Sequence, residues 1–403
     1  MDFINPFRPG AGHQPPYLAG RDTERDQFIS LLSQQVVTDN LVLTGLRGVG
    51  KTVLLETLRP LASEHGWLWV GADLTESASM TEESLATRMC ADLAPITATL
   101  SVAAGSHTRV GFGSEATETS RPLDYETLMA IYHSTPGVSL DKLKAALQFA
   151  WEALRDAGRH RGLIFAYDEA QTLSDQAEND QYPLALLLDA FQSLQRQGLP
   201  LMLALTGLPT ILPKMVAART YAERMFRVAR LESLDAVASR EAILRPIEDA
   251  SCPLRLNDES VEAIVEMSGG YPYFIQFICR EVYDAFLERL DHGEEAKVPV
   301  ADIERKLDVD FFAGRWSRAT DRQRDLLRTI ARLEGSDQEF SVSEIVAESR
   351  RGPRPHFSPS HVNQMLNTLI DQGLVHRNRH GRYAFAIPLL SRFITRHAME
   401  APA

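Results

Sequence analysis

Residues 45–52 read GLRGVGKT, preceded by the apolar NLVLT and followed by KTVLLETLRPLASEHG, whose apolar residues recur with helical spacing. A G-x-x-x-x-G-K-T run between a strand and a helix leaves few folds open. Its glycines let the backbone wrap closely enough to aim successive N–H groups at one anion, and the helix N-terminus adds partial positive charge. The expected ligand is the phosphate tail of ATP, cradled by Gly45, Arg47, Gly48, Val49, Gly50, Lys51, Thr52 and Val53. Lys51 is suited to neutralising the β- and γ-phosphates and Thr52 to holding Mg²⁺.

A second segment completes that chemistry. GLIFAYDEA, from Gly162 to Ala170, is an apolar strand ending in adjacent acids. Asp168 is placed to bind Mg²⁺ through water, and Glu169 to orient and deprotonate an attacking water. LPLMLALTGLP at 199–209 reads as another buried strand, expected beside the acid-bearing one, and Thr206 near its end is a candidate for the γ-phosphate or the lytic water. With WLWVGADL at 67–74 these strands alternate with helical segments, the pattern of a three-layer α/β fold with a parallel sheet covered on both faces. RTYAERMFRVARL contains Arg219, Arg224, Arg227 and Arg230; Arg224 is the preferred candidate for an arginine finger reaching a neighbouring subunit's nucleotide.

The 403 residues exceed one typical core. Residues 1–39 read as a proline- and glycine-rich arm with a first helix and 40–230 as the nucleotide-binding core. Residues 231–309 read as a helical lid and 310–403 as a winged helix-turn-helix whose two-stranded wing turns at His380-Gly381. Within the core, residues 95–140 are rich in Ser, Thr, Gly and Ala and are expected to form loops. Charge is uneven: residues 310–403 hold 14 arginines, no lysine and 10 acids, a net +4, which leaves −16 of the total −12 in residues 1–309. Cys90, Cys252 and Cys279 are too scattered for a disulfide framework or zinc site. No apolar run is long enough to span a bilayer, and MDFINPFRPG lacks the regions of a signal peptide, so a cytoplasmic location is expected.

GLRGVGKT and LIFAYDEA, taken with LAGRDTE, LALTGLP and GGYPYFIQ, resemble the AAA+/STAND-type P-loop ATPases of the archaeal-ATPase and Orc1/Cdc6-like group over nearly the whole chain. The resemblance implies that Leu18, Gly20 and Arg21 line an adenine pocket and that the acidic pair serves Mg²⁺ and water. It also implies that Gly270-Tyr271-Pro272 is a lid element whose proline packs near the adenine. Locally, GGYP is simply a good helix start, with proline in the first turn. Two departures stand out: no lid arginine is evident, and Thr206 stands where an asparagine is common.

Three functions remain open on these residues. The first is an Mg²⁺-dependent ATPase whose nucleotide state switches assembly or partner binding, as a homo-oligomer or with another protein. The second is a replication-initiator- or transposition-like protein that contacts double-stranded DNA through the winged helix. There His361, Asn363, Gln364 and Asn367 offer groups to base edges, and Arg377, Arg379 and Arg382 offer charge to phosphates. The third is a STAND sensor in defence or signalling.

Overall fold

The computed structural model describes residues 4–10, 12–75, 77, 80–103, 120–158, 160–250, 254–292, 298–352, 356–379 and 381–400. The chain divides into two compact units, one formed by Asp22–Thr44 and Leu54–Arg230, the other by Met1–Arg21, Gly45–Val53 and Leu231–Ala403.

The first unit is built on strands β1 (Asn40–Thr44), β2 (Trp67–Asp73), β5 (Gly162–Asp168), β6 (Leu201–Gly207) and β7 (Phe226–Arg230). A short ribbon, β3 (Ser101–Ala103) with β4 (Ser120–Pro122), lies apart. The five strands run parallel in the order β2-β5-β6-β1-β7. Every residue of β1, β5 and β6 is buried, which is why these strands read as continuous apolar runs. One buried polar residue ties β1 to its neighbours: the Asn40 carboxamide accepts from Leu203 N–H at 2.8 Å and donates to Met225 O at 3.0 Å. Pairing aligns Leu43 with Thr206, Thr44 with Gly207 and Tyr167 with Leu205, so three strands end at one edge of the sheet.

Two features of this unit depart from the sequence reading. β7 is a fifth strand, not anticipated in FRVAR because only Phe226 and Ala229 are buried, three residues apart, and neither an apolar run nor an alternation marks it. Within the span expected as loops lies the helix Tyr125–Ser134, capped by Asp124 accepting from Thr127 N–H, with Leu128, Met129 and Tyr132 buried. Residues 104–119 of that span fall outside the described residues.

In the second unit the arm lies along the helix Pro272–His292. The Asn5 carboxamide donates to Arg280 O at 3.1 Å and Arg8 N–H to the Gln276 carboxamide at 3.2 Å. The helices Ala236–Asp249, Asp258–Ser268 and Val300–Leu307 complete the segment expected as a lid. The last continues through a π-helical turn, Asp308–Ala313, which delivers Phe312 onto Phe393 with ring centroids 5.1 Å apart. The remaining residues form the helices Asp321–Ala331, Val342–Arg351, Pro359–Asp371 and Leu390–Glu400 and a three-stranded antiparallel sheet. That sheet is β8 (Phe340–Ser341), β9 (Val375–Arg379) and β10 (Arg382–Phe385), in the order β8-β10-β9. The expected hairpin is present as β9 and β10, joined by the unanticipated β8; His380 is outside the described residues. One hydrophobic core runs from Phe7 and Ala19 through Ile243, Phe274 and Phe312 to Leu366 and Phe393, so the lid helices and the C-terminal elements share an interior. Among the described residues no helix is long and apolar enough to cross a membrane.

Candidate nucleotide site

The glycine-rich turn is held open by its own unit. Gly48 and Gly50 adopt φ of +82° and +88°, the left-handed region that a side chain resists, so glycine is the residue the wrap needs there. Lys51 Nζ donates to Gly45 O and Leu46 O, both at 3.0 Å, and thus sits over the turn. Val49 is buried, Arg47 exposed, and Thr52 half-buried. Val53 O accepts from the Gln14 side chain of the arm at 3.3 Å.

The arm residues serve the turn differently from one another. Gly20, at φ +60°, lets the chain pass where a Cβ would stand 2.7 Å from Ala238 Cβ, and Leu18, two residues earlier, is half-buried. Arg21 is 6% exposed, and its guanidinium donates to Val49 O at 3.0 Å and Glu232 O at 2.8 Å. It is therefore a strut tying the turn to the start of the lid segment, a task that sequence alone did not disclose. Pro272 opens its helix two residues after Gly270, whose φ is +75°, and the residue after the proline, Tyr273, donates its N–H to Gly48 O at 3.2 Å. The helix Pro272–His292 thus begins against the glycine-rich turn.

The acidic group belongs to the sheet edge. Asp168, 4% exposed, ends β5; its Oδ1 accepts the Thr206 hydroxyl and the Glu169 N–H, the latter at 2.7 Å. Thr206, fully buried, is thereby engaged with the acid. Glu169 leaves the strand at φ +54° and is exposed, with its carboxylate bound by the Gln171 amide. Gln171 was not anticipated; the only sequence signal is its place two residues beyond the acid. Beneath it, Lys214 Nζ donates to Gln171 O at 2.6 Å, and burial lowers the Lys214 pKa.

Two of the four candidate finger arginines are occupied. Arg219 forms a bidentate pair with Asp189, at 2.8 and 2.6 Å, and Arg227 pairs with Asp39 at 3.6 Å. Burial raises the Asp189 pKa, but the hydrogen bonds from Arg219 and Tyr221 outweigh it and the net shift is downward. Arg224 and Arg230 are exposed. In the C-terminal segment His361, Asn363, Gln364 and Asn367 all lie exposed on the helix Pro359–Asp371. Arg377 is exposed with its guanidinium 5.5 Å from the Tyr383 ring, while Arg382 is engaged by Glu344 at 3.0 Å. Arg379 closes β9, and its side chain lies outside the described residues.

Residues 17–217 match a family described as an AAA ATPase domain, and residues 309–394 match a domain of unknown function (DUF8462). No curated protein matches the sequence. Among solved structures, the Walker-type ATPase PABY2304 of Pyrococcus abyssi is similar over 95% of this chain and 97% of its own, with a TM-score of 0.57 and 18% identity. The Aeropyrum pernix ORC2 protein, in ADPNP–ADP complexes, is similar over 98% of both chains, at a TM-score of 0.48 and 15% identity. The Aeropyrum pernix ORC1 protein in complex with DNA covers 95% of this chain and 94% of its own, at a TM-score of 0.46 and 16% identity. At 18% identity the likeness to the Pyrococcus abyssi protein is one of fold.

Proposed function

We propose that the protein, whose residues 17–217 match a family described as an AAA ATPase domain, binds ATP with Mg²⁺, hydrolyses it, and uses the nucleotide state as a switch for assembly or partner binding. One observation carries this reading most. A buried acid hydrogen-bonded by Thr206, followed by an exposed glutamate, stands at the sheet edge where Thr44 hands the chain to GLRGVGKT. The donors at this edge suit a hard, largely hydrated cation: Asp168 brings carboxylate oxygens, and the Thr44 hydroxyl is buried with no partner among the described residues. Magnesium, when bound, neutralises charge on the transferring phosphoryl group.

The remaining work falls to side chains of this chain. Lys51 exchanges its two carbonyl acceptors for phosphate oxygens, and the backbone N–H groups of residues 47–52 receive the tail. Thr206 keeps Asp168 oriented, and Glu169 takes a proton from the attacking water. Arg224, exposed, serves a neighbouring subunit's nucleotide, so turnover depends on assembly. Because Tyr273 holds the glycine-rich turn and belongs to the helix whose core reaches Phe393, movement of the turn is felt in the C-terminal segment.

The test is phosphate release by wild type and Glu169→Gln at saturating ATP. Retained ATP binding with turnover reduced at least about 100-fold is expected; equal rates would refute hydrolysis through Glu169. A second reading has its own support, the continuous exposed face of His361, Asn363, Gln364 and Asn367 on a helix followed by the β9–β10 hairpin, the layout of a winged helix. On that reading duplex DNA is the partner, and binding weakens steeply with salt. No binding at low salt, with or without ATP, would exclude it.

A further inference from the structure

Glu169 is exposed and leaves β5 in a left-handed conformation, so the pleat of the strand does not dictate where its carboxylate points. What holds it is Gln171, in the short turn Ala170–Thr172. The Gln171 Nε2 donates to Glu169 Oε2. Its Oε1 accepts the N–H of Leu208 at 2.9 Å, immediately beyond β6. A side-chain amide is the group that performs both tasks at once, donating to an acid at one end and accepting from the main chain at the other. Space for it is provided by Gly207, where a Cβ would stand 2.8 Å from Gln171 Oε1.

We infer that Gln171 is a positioning residue for ATP hydrolysis: anchored on Leu208, its amide fixes the Glu169 carboxylate on the β6 side of β5. The inference rests on the proposed hydrolysis. In the sheet β6 lies between β5 and β1, and β1 is the strand that runs into residues 45–52, so the amide keeps the base turned toward the strand carrying the phosphate-binding turn. The end of β6 thereby orients both acids. Thr206 does so for Asp168 through a hydroxyl, and Leu208 does so for Glu169 through Gln171. Without the amide, an exposed glutamate samples several rotamers, and a base displaced by about 1 Å loses up to about 100-fold in rate.

The experiment measures steady-state ATP turnover and equilibrium ATP affinity for the full chain carrying Gln171→Ala, Gln171→Glu, Gly207→Ala, or Gln171→Ala with Gly207→Ala. Gln171→Ala should lower kcat about 10–100-fold while KM and affinity stay within about twofold. Gly207→Ala should reproduce that loss by displacing an intact amide, and the double variant should be no worse than either single one, because both remove the same constraint. Gln171→Glu keeps the acceptor for Leu208 N–H, and with it the local fold, but sets a second carboxylate against Glu169; its kcat should fall at least as far. Gln171→Ala at the wild-type rate, a loss confined to KM, or additive losses in the double variant would overturn the inference. Glu169→Gln separates the two levels. If that variant turns over as wild type does, the proposed hydrolysis and this inference fall together; if it is inactive while Gln171→Ala is fully active, only this inference falls.

Discussion

Replacing Thr206 by valine removes one hydroxyl and leaves the shape of β6 unchanged. Thr206 is fully buried and Asp168 is 4% exposed, so no water replaces the lost donor at full strength. A hydrogen bond to a charged group contributes about 1.5–3 kcal/mol, and the slightly better strand propensity of valine returns only a few tenths. The expected cost is therefore about 1.5–2.5 kcal/mol. At about 2–4 °C per kcal/mol for a unit of this size, thermal melting should shift down by roughly 3–10 °C. Because the hydroxyl serves Asp168, the Mg²⁺ concentration for half-maximal turnover should rise about five- to tenfold, more than the KM for ATP, since the lost bond acts first on the acid proposed to hold the metal. Thr206→Ser retains the donor and should keep most of the turnover. Calorimetry and Mg²⁺ titration of turnover decide the matter. Melting within about 1 °C of wild type with an unchanged Mg²⁺ requirement would refute the role given to this bond. A rise in the KM for ATP alone would mean that Thr206 acts on the nucleotide directly.

Pro272→Ala should weaken ATP affinity about three- to tenfold while leaving melting nearly unchanged, because alanine is well tolerated in a first helical turn; unchanged affinity by fluorescence titration would reduce Pro272 to a helix-start residue. Arg224→Ala should cut turnover by about 10³-fold without loss of ATP binding, and mixing it with Glu169→Gln should restore part of the activity; no recovery in the mixture argues against a finger acting between subunits. His376 supplies a pH prediction. Burial lowers its pKa from 6.5, outweighing backbone hydrogen bonds at Phe385 and Ala384 that raise it, so the folded state favours the neutral ring. Its contribution to stability is present above the unfolded value and is lost as pH falls from about 6.5 through the folded pKa. Amide exchange in β9 and β10 should therefore accelerate between pH 7.5 and 5.5, after correction for intrinsic rates, and His376→Leu should flatten that dependence.

Periodicity and punctuation reveal most of the elements in this chain. The strands β1, β5 and β6 are legible because uninterrupted apolar runs have nowhere to lie but inside a covered parallel sheet, and β2, at the sheet's edge, is legible from its apolar first half, WLWV. The helices at 236–249, 258–268 and 272–292 are legible from their 3.6-residue spacing and their Asp, Asn or Gly-Pro boundaries. β7 escapes that reading because an edge strand buries only Phe226 and Ala229 and exposes arginine elsewhere. The helix Tyr125–Ser134 escapes it because a Ser- and Thr-rich neighbourhood outweighs ten amphipathic residues.

The site divides along the same line. Sequence determined its chemical inventory: the glycines, Lys51, Thr52, Asp168 and Glu169 follow from local spacing, since a phosphate-wrapping turn and an acid-ended strand are properties of consecutive residues. Tertiary structure decided which side chains serve which partners. Arg21 became a strut on Val49 and Glu232, Thr206 became the donor to Asp168, and Gln171 became the link between Glu169 and Leu208. Hydrogen bonds of that kind join residues from about 30 to over 200 positions apart. They exist only once the strands have taken their order in the sheet and the helices have closed on a common core.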